Sequence, residues 1–230
     1  RPEIRLATMT RYEETYPFPV AFPPNEPERT LGELWADAGM TQLRVAESEK
    51  EPHVTYFFNG GRDRPFAGEQ RRIVASPDVP TYDHQPEMSA AEVTDAAVAA
   101  IAADDPGPDA LVLNYANPDM VGHTGDFDAA VTAVEAVDEQ VGRMVEAVTG
   151  AGGHVLLCAD HGNADDMGTA EDPHTAHTLN PVPFVYVGPD GTAAGREARD
   201  GGTLADLAPT ILDLMGIDQP GAMTGESLLE

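Results

Sequence analysis

The stretch ALVLNYANPDMVGHTG, residues 110–125, decides the fold of this chain together with HVLLCADHG, residues 154–162. Each begins with an apolar run typical of a buried strand and continues into a polar loop. Between them, residues 128–149 predict a helix with one apolar face, formed by Val131, Val134, Val137 or Asp138, Val141, Met144, Val145 and Val148. The run PVPFVYVG, 181–188, predicts another strand. This order predicts an α/β fold, with helices on both faces of a largely parallel sheet.

The flanking sequence predicts further elements around this sheet. Strands are predicted at 3–9, 43–47 and 71–76, an ordered loop at 11–28, and either a strand or a helix at 53–61. Helices are predicted at 31–39, 89–104 and 204–217, with capping boxes at Thr30/Glu33 and Ser89/Glu92. Pro209 lacks an N–H, so a break or a second helix start is expected there.

Acidic side chains dominate the composition. The 230 residues include 40 Asp and Glu but 13 Lys and Arg, which gives a net charge of −27. A surface this negative argues against binding nucleic acid or an anionic membrane, since both need a basic patch. With 41% hydrophobic residues, the chain is expected to fold and to be adapted to a halophilic, high-salt cytoplasm, where salt screens carboxylate repulsion.

Cys158 is the only cysteine, so neither a disulfide framework nor a cysteine zinc cluster is predicted, and a reducing cytoplasm fits. There is no signal-peptide pattern and no run of about 18 apolar residues, so neither secretion nor a membrane span is predicted. The sequence begins with Arg1 rather than Met, and we interpret it as part of a longer protein.

Polar side chains that suit a metal follow the two central strands. Asp119 and His123 follow the first strand, Asp160 and His161 end the second, and His177 lies in the next loop. Ligands in parallel sheets bind beyond the carboxyl ends of the strands, where such side chains can converge. Mixed Asp and His donors suit divalent manganese, zinc, cobalt or iron.

Simpler interpretations stand beside the metal site. One Asp-x-x-x-His pair is weak evidence, and Asp-His-Gly also fits a turn held by an Asx hydrogen bond. His53, His84 and His154 are expected to be structural. The joint placement of five candidate ligands after successive buried strands favours the metal interpretation.

Several motifs together resemble one family over nearly the whole chain. They are TMTRYEE, VAFPP, SEKEPHVTYFFNGG, FAGEQRRIVASP, TYDHQPEMSA, NPDMVGHTG, ADHGNAD, HTAHTLNPVP and LADLAPTILDLMGI. In this order they are similar to the cofactor-independent (2,3-bisphosphoglycerate-independent) phosphoglycerate mutases, which belong to the alkaline-phosphatase-like superfamily. The resemblance implies an alkaline-phosphatase-like α/β fold.

By matched position, the resemblance implies two divalent metal ions, usually Mn²⁺. Asp119, His123 and His177 would hold the first ion, and Asp160 and His161 the second. Lys50, the only lysine of the chain, matches a substrate-contacting lysine, whose ammonium is a compact charge that suits a phosphate or an alkoxide. His174 matches a position beside a ligand and is not itself expected to bind metal.

The reaction that the resemblance implies is the interconversion of 3-phosphoglycerate and 2-phosphoglycerate in glycolysis and gluconeogenesis. A serine would accept the phosphoryl group and return it to the other hydroxyl, which divides one difficult transfer into two easier ones. The small-molecule substrate would be phosphoglycerate, and the full-length enzyme is expected to be a cytoplasmic monomer that binds neither nucleic acid nor a membrane.

The chain departs from this family at the nucleophile. No serine here has the matching context, and Ser48, Ser76, Ser89 and Ser227 are expected to cap helices or lie at the surface. Residues 1–230 are therefore interpreted as the C-terminal portion of a metal-binding phosphatase-type domain. The expected partner is an N-terminal segment of the same enzyme, carrying the serine on a strand that this sheet would lack, and an inserted transferase domain.

Three alternatives remain open from the sequence. The protein could be another phosphomutase or phosphatase of the same superfamily, which a substrate panel would reveal. It could be a non-catalytic metal-binding fragment, or a domain whose carboxylates only solvate its surface. We expect this chain alone to bind divalent metal without mutase turnover.

Overall fold

A parallel three-stranded sheet forms the centre of the computed structural model, which describes residues 4–11, 13, 15–23, 27–103 and 107–230. The strands are β1 (Gln42–Glu47), β2 (Glu69–Val74) and β3 (Ala110–Leu113), in the order β2-β1-β3. Val45 of β1 lies opposite Arg72 on one side and Leu113 on the other. All six residues of β1 are buried, as expected for a central strand covered on both faces. The predicted α/β class is confirmed.

The two later strands pair with each other in the antiparallel direction. β4 (Val155–Cys158) and β5 (Phe184–Val187) form a separate two-stranded sheet, in which Leu156 lies opposite Tyr186. The expectation that these runs extend the parallel sheet is wrong at this pair. Parallel neighbours need a crossover, usually a helix, whereas residues 159–183 contain none and bring the chain back in the opposite direction.

Helices surround the parallel sheet close to the predicted positions. They are α1 (Leu31–Asp37), α2 (Ala90–Ile101), α3 (Asn117–Gly122), α4 (Phe127–Gly150) and α5 (Leu207–Met215). Single helical turns lie at Ser48–Lys50, His53–Phe57, Tyr82–His84 and Leu204–Asp206. The ambiguous segment 53–61 is therefore partly helical, in π-helical form at His53–Phe57.

The second start predicted near Pro209 is confirmed. A 3₁₀ turn, Leu204–Asp206, precedes α5, and Pro209 is the third residue of that helix. Its missing N–H costs nothing there, because the first four N–H groups of a helix have no intrahelical partner.

Both predicted capping boxes are wrong. The Ser89 hydroxyl donates instead to the Ala75 carbonyl at 2.8 Å, which ties α2 to the end of the preceding segment. Thr30 makes no side-chain cap hydrogen bond, and Glu33 Oε2 accepts from the Arg29 backbone N–H at 2.8 Å. A contact with a distant segment thus replaces the cap at Ser89, and a local backbone contact takes the Glu33 side chain.

Hydrophobic clusters on both faces hold the sheet between helices. On one face Leu43 and Val45 pack with Val93 of α2 and Met144 of α4. On the other face a second cluster joins β3 to α1 and α5, and contains Leu31, Leu34, Trp35, Ala110 and Leu212. These two clusters explain why the region between residues 31 and 150 follows the sequence pattern closely.

The N-terminal segment does not form the strand predicted at 3–9. Residue 3 lies outside the described residues, and in the rest of that range a single bridge joins Thr8 to Val20. The loop predicted at 11–28 has no helix or strand among its described residues. Within the described residues, no helix combines the length and the apolar character that crossing a bilayer requires.

The apolar face of α4 is only partly covered. Val131 and Val134 remain 42% and 47% exposed. Further along the helix, Val137, Val141 and Val145 line a cavity of about 1110 Å³, whose walls also include β3 and β4. A helix face predicted to be buried is thus left open toward the space between the two sheets.

Candidate metal centre

Asp119 and His123 lie one helical turn apart at the end of α3. Residues four apart on a helix share a face, and His123 Nε2 lies 3.1 Å from Asp119 Oδ1. This short helix begins soon after β3, so it carries both side chains beyond the carboxyl end of that strand. The structure thus brings together the two side chains that the sequence marked as candidate ligands after the first strand.

Two histidines of the long loop meet this pair. His177 Nε2 lies 3.2 Å from both Asp119 Oδ1 and His123 Nε2. His161 Nε2 lies 3.9 Å from Asp119 Oδ1, and its ring stacks on that of His177 with the centroids 3.7 Å apart. Donor atoms of Asp119, His161 and His177 all lie within 4.8 Å of one another, a spacing suited to one metal ion.

The hydrogen-bond partners of the His123 ring indicate which of its nitrogens is free to bind a metal ion. Its Nδ1 lies 2.6 Å from the Thr175 carbonyl oxygen, which can only accept, so Nδ1 carries the hydrogen. In the neutral ring Nε2 then presents a lone pair toward the Asp119 carboxylate and His177. Lone pairs directed at one another repel unless a positive ion lies between them, so the donor set fits a metal.

Lys50 contacts the same carboxylate from the opposite side. Its Nζ donates to Asp119 Oδ2, and the lysine is only 5% exposed. Burial acts to raise the pKa of Asp119, but the hydrogen bond and charge of Lys50, assisted by Asn163, outweigh it and lower that pKa. A turn at Ser48–Lys50, directly after β1, carries the lysine to the edge of the sheet where the histidines meet.

Asn163 is a contact of the centre that sequence reasoning missed. Its Nδ2 donates to Asp119 Oδ1 at 3.1 Å, and the residue is 5% exposed. A Cβ at Gly122 would clash with the Asn163 side-chain oxygen, so the glycine leaves the space that this amide needs. The only sequence signal was the position of Asn163, two residues after His161.

Asp160 lies apart from Asp119, His123 and His177. Its side chain is 58% exposed, and its Oδ1 lies 3.7 Å from His161 Nε2. His161 therefore lies between Asp119 and Asp160, and both carboxylates approach the same ring nitrogen. This placement differs from a clean division in which His161 meets only Asp160.

Of the four remaining histidines, three have a nearby polar partner and the fourth, His53, lines the cavity. His154 Nδ1 lies 2.8 Å from the Tyr186 hydroxyl, and His174 Nδ1 lies 3.0 Å from the Asp166 carbonyl oxygen, so both have structural partners. His84 lies 3.6 Å from its neighbour Asp83. His53, expected to be structural, lines the same cavity as Asp119 and Asp160. Burial, and then the charge of Lys50, lower the pKa of His53.

The four serines of the chain bond elsewhere. Ser48 Oγ accepts from the backbone N–H of Ser76, and Ser76 Oγ accepts from that of Glu49. Ser89 bonds to Ala75, and Ser227 Oγ donates to Asp213 Oδ2 at 3.0 Å. Each hydroxyl has a structural partner, so the described residues contain no serine arranged as a nucleophile at the metal centre.

Comparison with known proteins identifies relatives of this chain. A family model described as the metalloenzyme superfamily matches residues 9–219. The chain is 70% identical over 229 residues to a 2,3-bisphosphoglycerate-independent phosphoglycerate mutase of Haloarcula marismortui, and 66% identical over 229 residues to that of Natronomonas pharaonis. These alignments cover 100% of this chain but 44% and 45% of the relatives.

A solved structure is also similar. The structure titled as Leishmania mexicana phosphoglycerate mutase at low cobalt concentration matches with a TM-score of 0.86 and 33% identity. The match covers 97% of this chain and 44% of that one. It supports the alkaline-phosphatase-like α/β fold expected from the motifs. Because the family model matches most of its length, and Asp119, His161 and His177 lie close enough to hold a metal ion, the chain belongs to the metalloenzyme superfamily.

Proposed function

We propose that this chain supplies the metal-binding part of a phosphoglycerate mutase that interconverts 3-phosphoglycerate and 2-phosphoglycerate through a phosphoserine. The convergence of Asp119, His123, His161 and His177 at the edge of the sheet carries the proposal. The similarity to named mutases over the full chain supports the choice of substrate. The activity is an isomerisation by phosphoryl transfer, as in glycolysis and gluconeogenesis.

The proposed centre holds two divalent ions, with Mn²⁺ as the expected metal. Asp119, His123 and His177 would hold the first ion, and Asp160 and His161 the second. When bound, such ions supply positive charge that lowers the pKa of a nucleophilic hydroxyl and neutralises phosphoryl oxygens. The short separations around His161 Nε2 support a closely spaced pair of sites.

Lys50 is proposed to contact the substrate. Its ammonium is buried beside Asp119 and has three N–H donors, of which Asp119 Oδ2 takes one. The remaining donors could hold a phosphate oxygen against the negative charge of the surrounding carboxylates. Arginine has a larger planar head group and would not fit the same contact. The Lys50→Arg variant should therefore not retain this function.

The cavity between the sheets supports the proposal that a separate segment supplies the serine. Within the described residues β3 pairs only with β1, and β4 only with β5, so each sheet has an edge facing the cavity. The cavity is lined largely by apolar side chains and reaches Asp119, Asp160 and His161. A strand inserted here would satisfy both edges and end beside the metal ligands.

The chain spans less than half the length of the relatives named above. Their additional length leaves room for a segment that supplies the serine. We further propose that the complete enzyme is a cytoplasmic monomer of a high-salt organism. The net charge of −27 supports the salt adaptation.

Calorimetric titration with Mn²⁺ and a turnover assay together test this function. The unchanged chain should bind Mn²⁺, the Asp119→Ala variant should not, and neither should convert 3-phosphoglycerate. Adding the remaining segment of the Haloarcula marismortui relative should restore conversion, with a phosphopentose as the control substrate. Conversion by the 230-residue chain alone would overturn the assignment of the nucleophile, and preference for the phosphopentose would overturn the substrate.

A further inference from the structure

The loop that carries His161 and His177 is closed at its base by a group of hydrogen bonds. Its members, which we call the loop clasp, are Gly162, Asp165, Thr178 and Asn180. The Thr178 backbone N–H donates to the Gly162 carbonyl at 2.8 Å, and the Thr178 hydroxyl donates to both Asp165 oxygens at 3.2 and 3.0 Å. Asn180 Nδ2 donates to Asp165 Oδ2 at 2.6 Å. One carboxylate therefore joins both ends of the loop.

The clasp lies directly beside the two histidines. His161 precedes Gly162, and His177 precedes Thr178, so each histidine is the immediate chain neighbour of a clasp residue. Between them the chain has no helix and no strand beyond isolated bridges. The stacking of the two imidazole rings therefore depends on contacts that hold the loop ends together.

Gly162 shows how closely the loop ends approach. Its φ is not positive, so the glycine is not required for a left-handed backbone at the turn after His161. A Cβ there would clash with Thr178 Oγ1 and lie 2.6 Å from Asp165 Oδ1. A glycine is therefore needed at this position because there is no space for a side chain inside the clasp.

We propose that Asp165 is a positioning residue. It sets the metal affinity of the centre by holding the side chains of His161 and His177 at fixed positions relative to each other. The inference rests on the proposed metal centre, but not on the identity of the substrate. Without the clasp, metal binding would have to close a flexible loop, and that lost chain entropy would weaken binding. Loss of a group that orients ligands typically lowers metal affinity about 10–100-fold.

The same loop offers a matched control for charge. Glu171 is exposed, lies between the two histidines and belongs to no part of the clasp. Removing either carboxylate changes the net charge of the loop equally. A purely electrostatic role of Asp165 in attracting the cation predicts similar losses for Asp165→Asn and Glu171→Gln, whereas the clasp predicts a loss only for Asp165.

The exchange of the Asp165 and Asn180 side chains provides a rescue. In the double variant Asp165→Asn/Asn180→Asp, an amide again faces a carboxylate across the clasp, with the direction of the hydrogen bond reversed. The net charge of this double variant equals that of the unchanged chain. Recovery of metal affinity would therefore report the contact itself rather than the position of the charge.

The test is calorimetric titration of the 230-residue chain and its variants with Mn²⁺ at one fixed salt concentration. Thermal melting without metal checks that each variant folds. The visible spectrum with bound Co²⁺ reports the ligand set. Asp165→Ala and Asp165→Asn should weaken Mn²⁺ binding about 10–100-fold and alter the Co²⁺ spectrum, the exchanged pair should recover most of the affinity, and Glu171→Gln should bind as the unchanged chain does.

Four outcomes would overturn the proposal. Equal affinity in Asp165→Ala and the unchanged chain removes any positioning role, and equal losses in Asp165→Asn and Glu171→Gln replace it with simple electrostatics. Failure of the exchanged pair to recover affinity, when it melts like the unchanged chain, denies the contact. Absence of Mn²⁺ binding by the unchanged chain would overturn the metal centre as well, whereas a different substrate for the complete enzyme would leave the clasp intact.

Discussion

The two sides of the molecule differ in how they are held together. On the closed side, α1, α2, α4 and α5 cover both faces of the parallel sheet through apolar contacts. On the open side, β4, β5 and the loop 159–183 meet the rest across a cavity and rely on hydrogen bonds between polar side chains. The candidate metal ligands come from both sides, so the proposed centre depends on regular packing and on a loop with little regular structure.

The largest effect is expected at Asp119, where the two sides meet. Asp119→Ala removes a candidate ligand contacted by His123 and His177 and leaves the buried Lys50 ammonium without its Asp119 partner. Metal affinity should fall by more than about 100-fold, since a direct ligand counts for more than an outer contact. Denaturant unfolding should show a loss of about 3–5 kcal/mol, the usual cost of breaking a buried ion pair. An unchanged unfolding free energy would show that the ion pair between Lys50 and Asp119 does not stabilise the fold.

Stability should be more sensitive to a residue packed in the core of the closed side than to one on the exposed face of α4. Leu212 is 0% exposed, so Leu212→Ala should lower the unfolding free energy by about 2–5 kcal/mol. Val134 on α4 is 47% exposed, and Val134→Ala should change it by less than about 0.5 kcal/mol. Urea unfolding of both variants measures the difference. Similar losses at both positions would mean that the exposed α4 face is covered in solution.

Two glycines distinguish a position where an added Cβ has no room from a position where it has room. Gly162→Ala should push Thr178 and Asp165 apart and weaken Mn²⁺ binding about 10-fold, as loss of an orienting contact does. Gly142 lies inside α4 with nothing within 4 Å of an added Cβ, so Gly142→Ala should stabilise the chain by about 0.5–1 kcal/mol. Titration calorimetry and thermal melting check the two results. Tight Mn²⁺ binding by Gly162→Ala would contradict the close approach.

The smallest expected effect is a dependence of stability on pH at Asp206. Hydrogen bonds from the backbone N–H groups of Glu226 and Thr203 lower the pKa of this carboxyl from its usual 3.8. A lowered folded-state pKa means that this stabilisation is present above 3.8 and is lost as the pH falls through the lowered value.

Asp206→Asn should therefore show less loss of stability on acidification than the unchanged chain. Guanidinium unfolding at neutral pH and at about pH 3 measures this difference, since the interval spans the titration of an ordinary Asp. Parallel losses in the two proteins would show that other carboxylates govern acid unfolding.

Much of the closed side could be predicted from local pattern. Apolar periodicity located β1, β2, β3 and the long helix α4, because the side chains that face a core repeat with the period of each element. The pairing of Asp119 with His123 also follows from spacing, since one turn of α3 brings positions four apart together. The order of the motifs separately pointed to the cofactor-independent phosphoglycerate mutases, and the chain matches the metalloenzyme superfamily over residues 9–219.

The capping boxes and the antiparallel pairing of β5 with β4 could not be predicted in this way. Ser89 has a suitable capping sequence, yet its hydroxyl bonds to Ala75, which lies 14 residues earlier. The run 181–188 looked like another parallel strand, but its pairing depends on the path of the preceding loop. Such outcomes are decided by contacts between distant residues, which local propensity does not describe.

The sequence by itself determined the α/β class, the candidate ligands and the acidic surface, because composition and periodicity depend on residues near one another in the chain. Only the tertiary structure decided that His161 reaches Asp119, that Asp165 joins the ends of the histidine loop, and that one face of α4 opens onto a cavity. The physical reason is that hydrogen-bond partners and the filling of space are settled between segments far apart in sequence, after each segment has taken its local form.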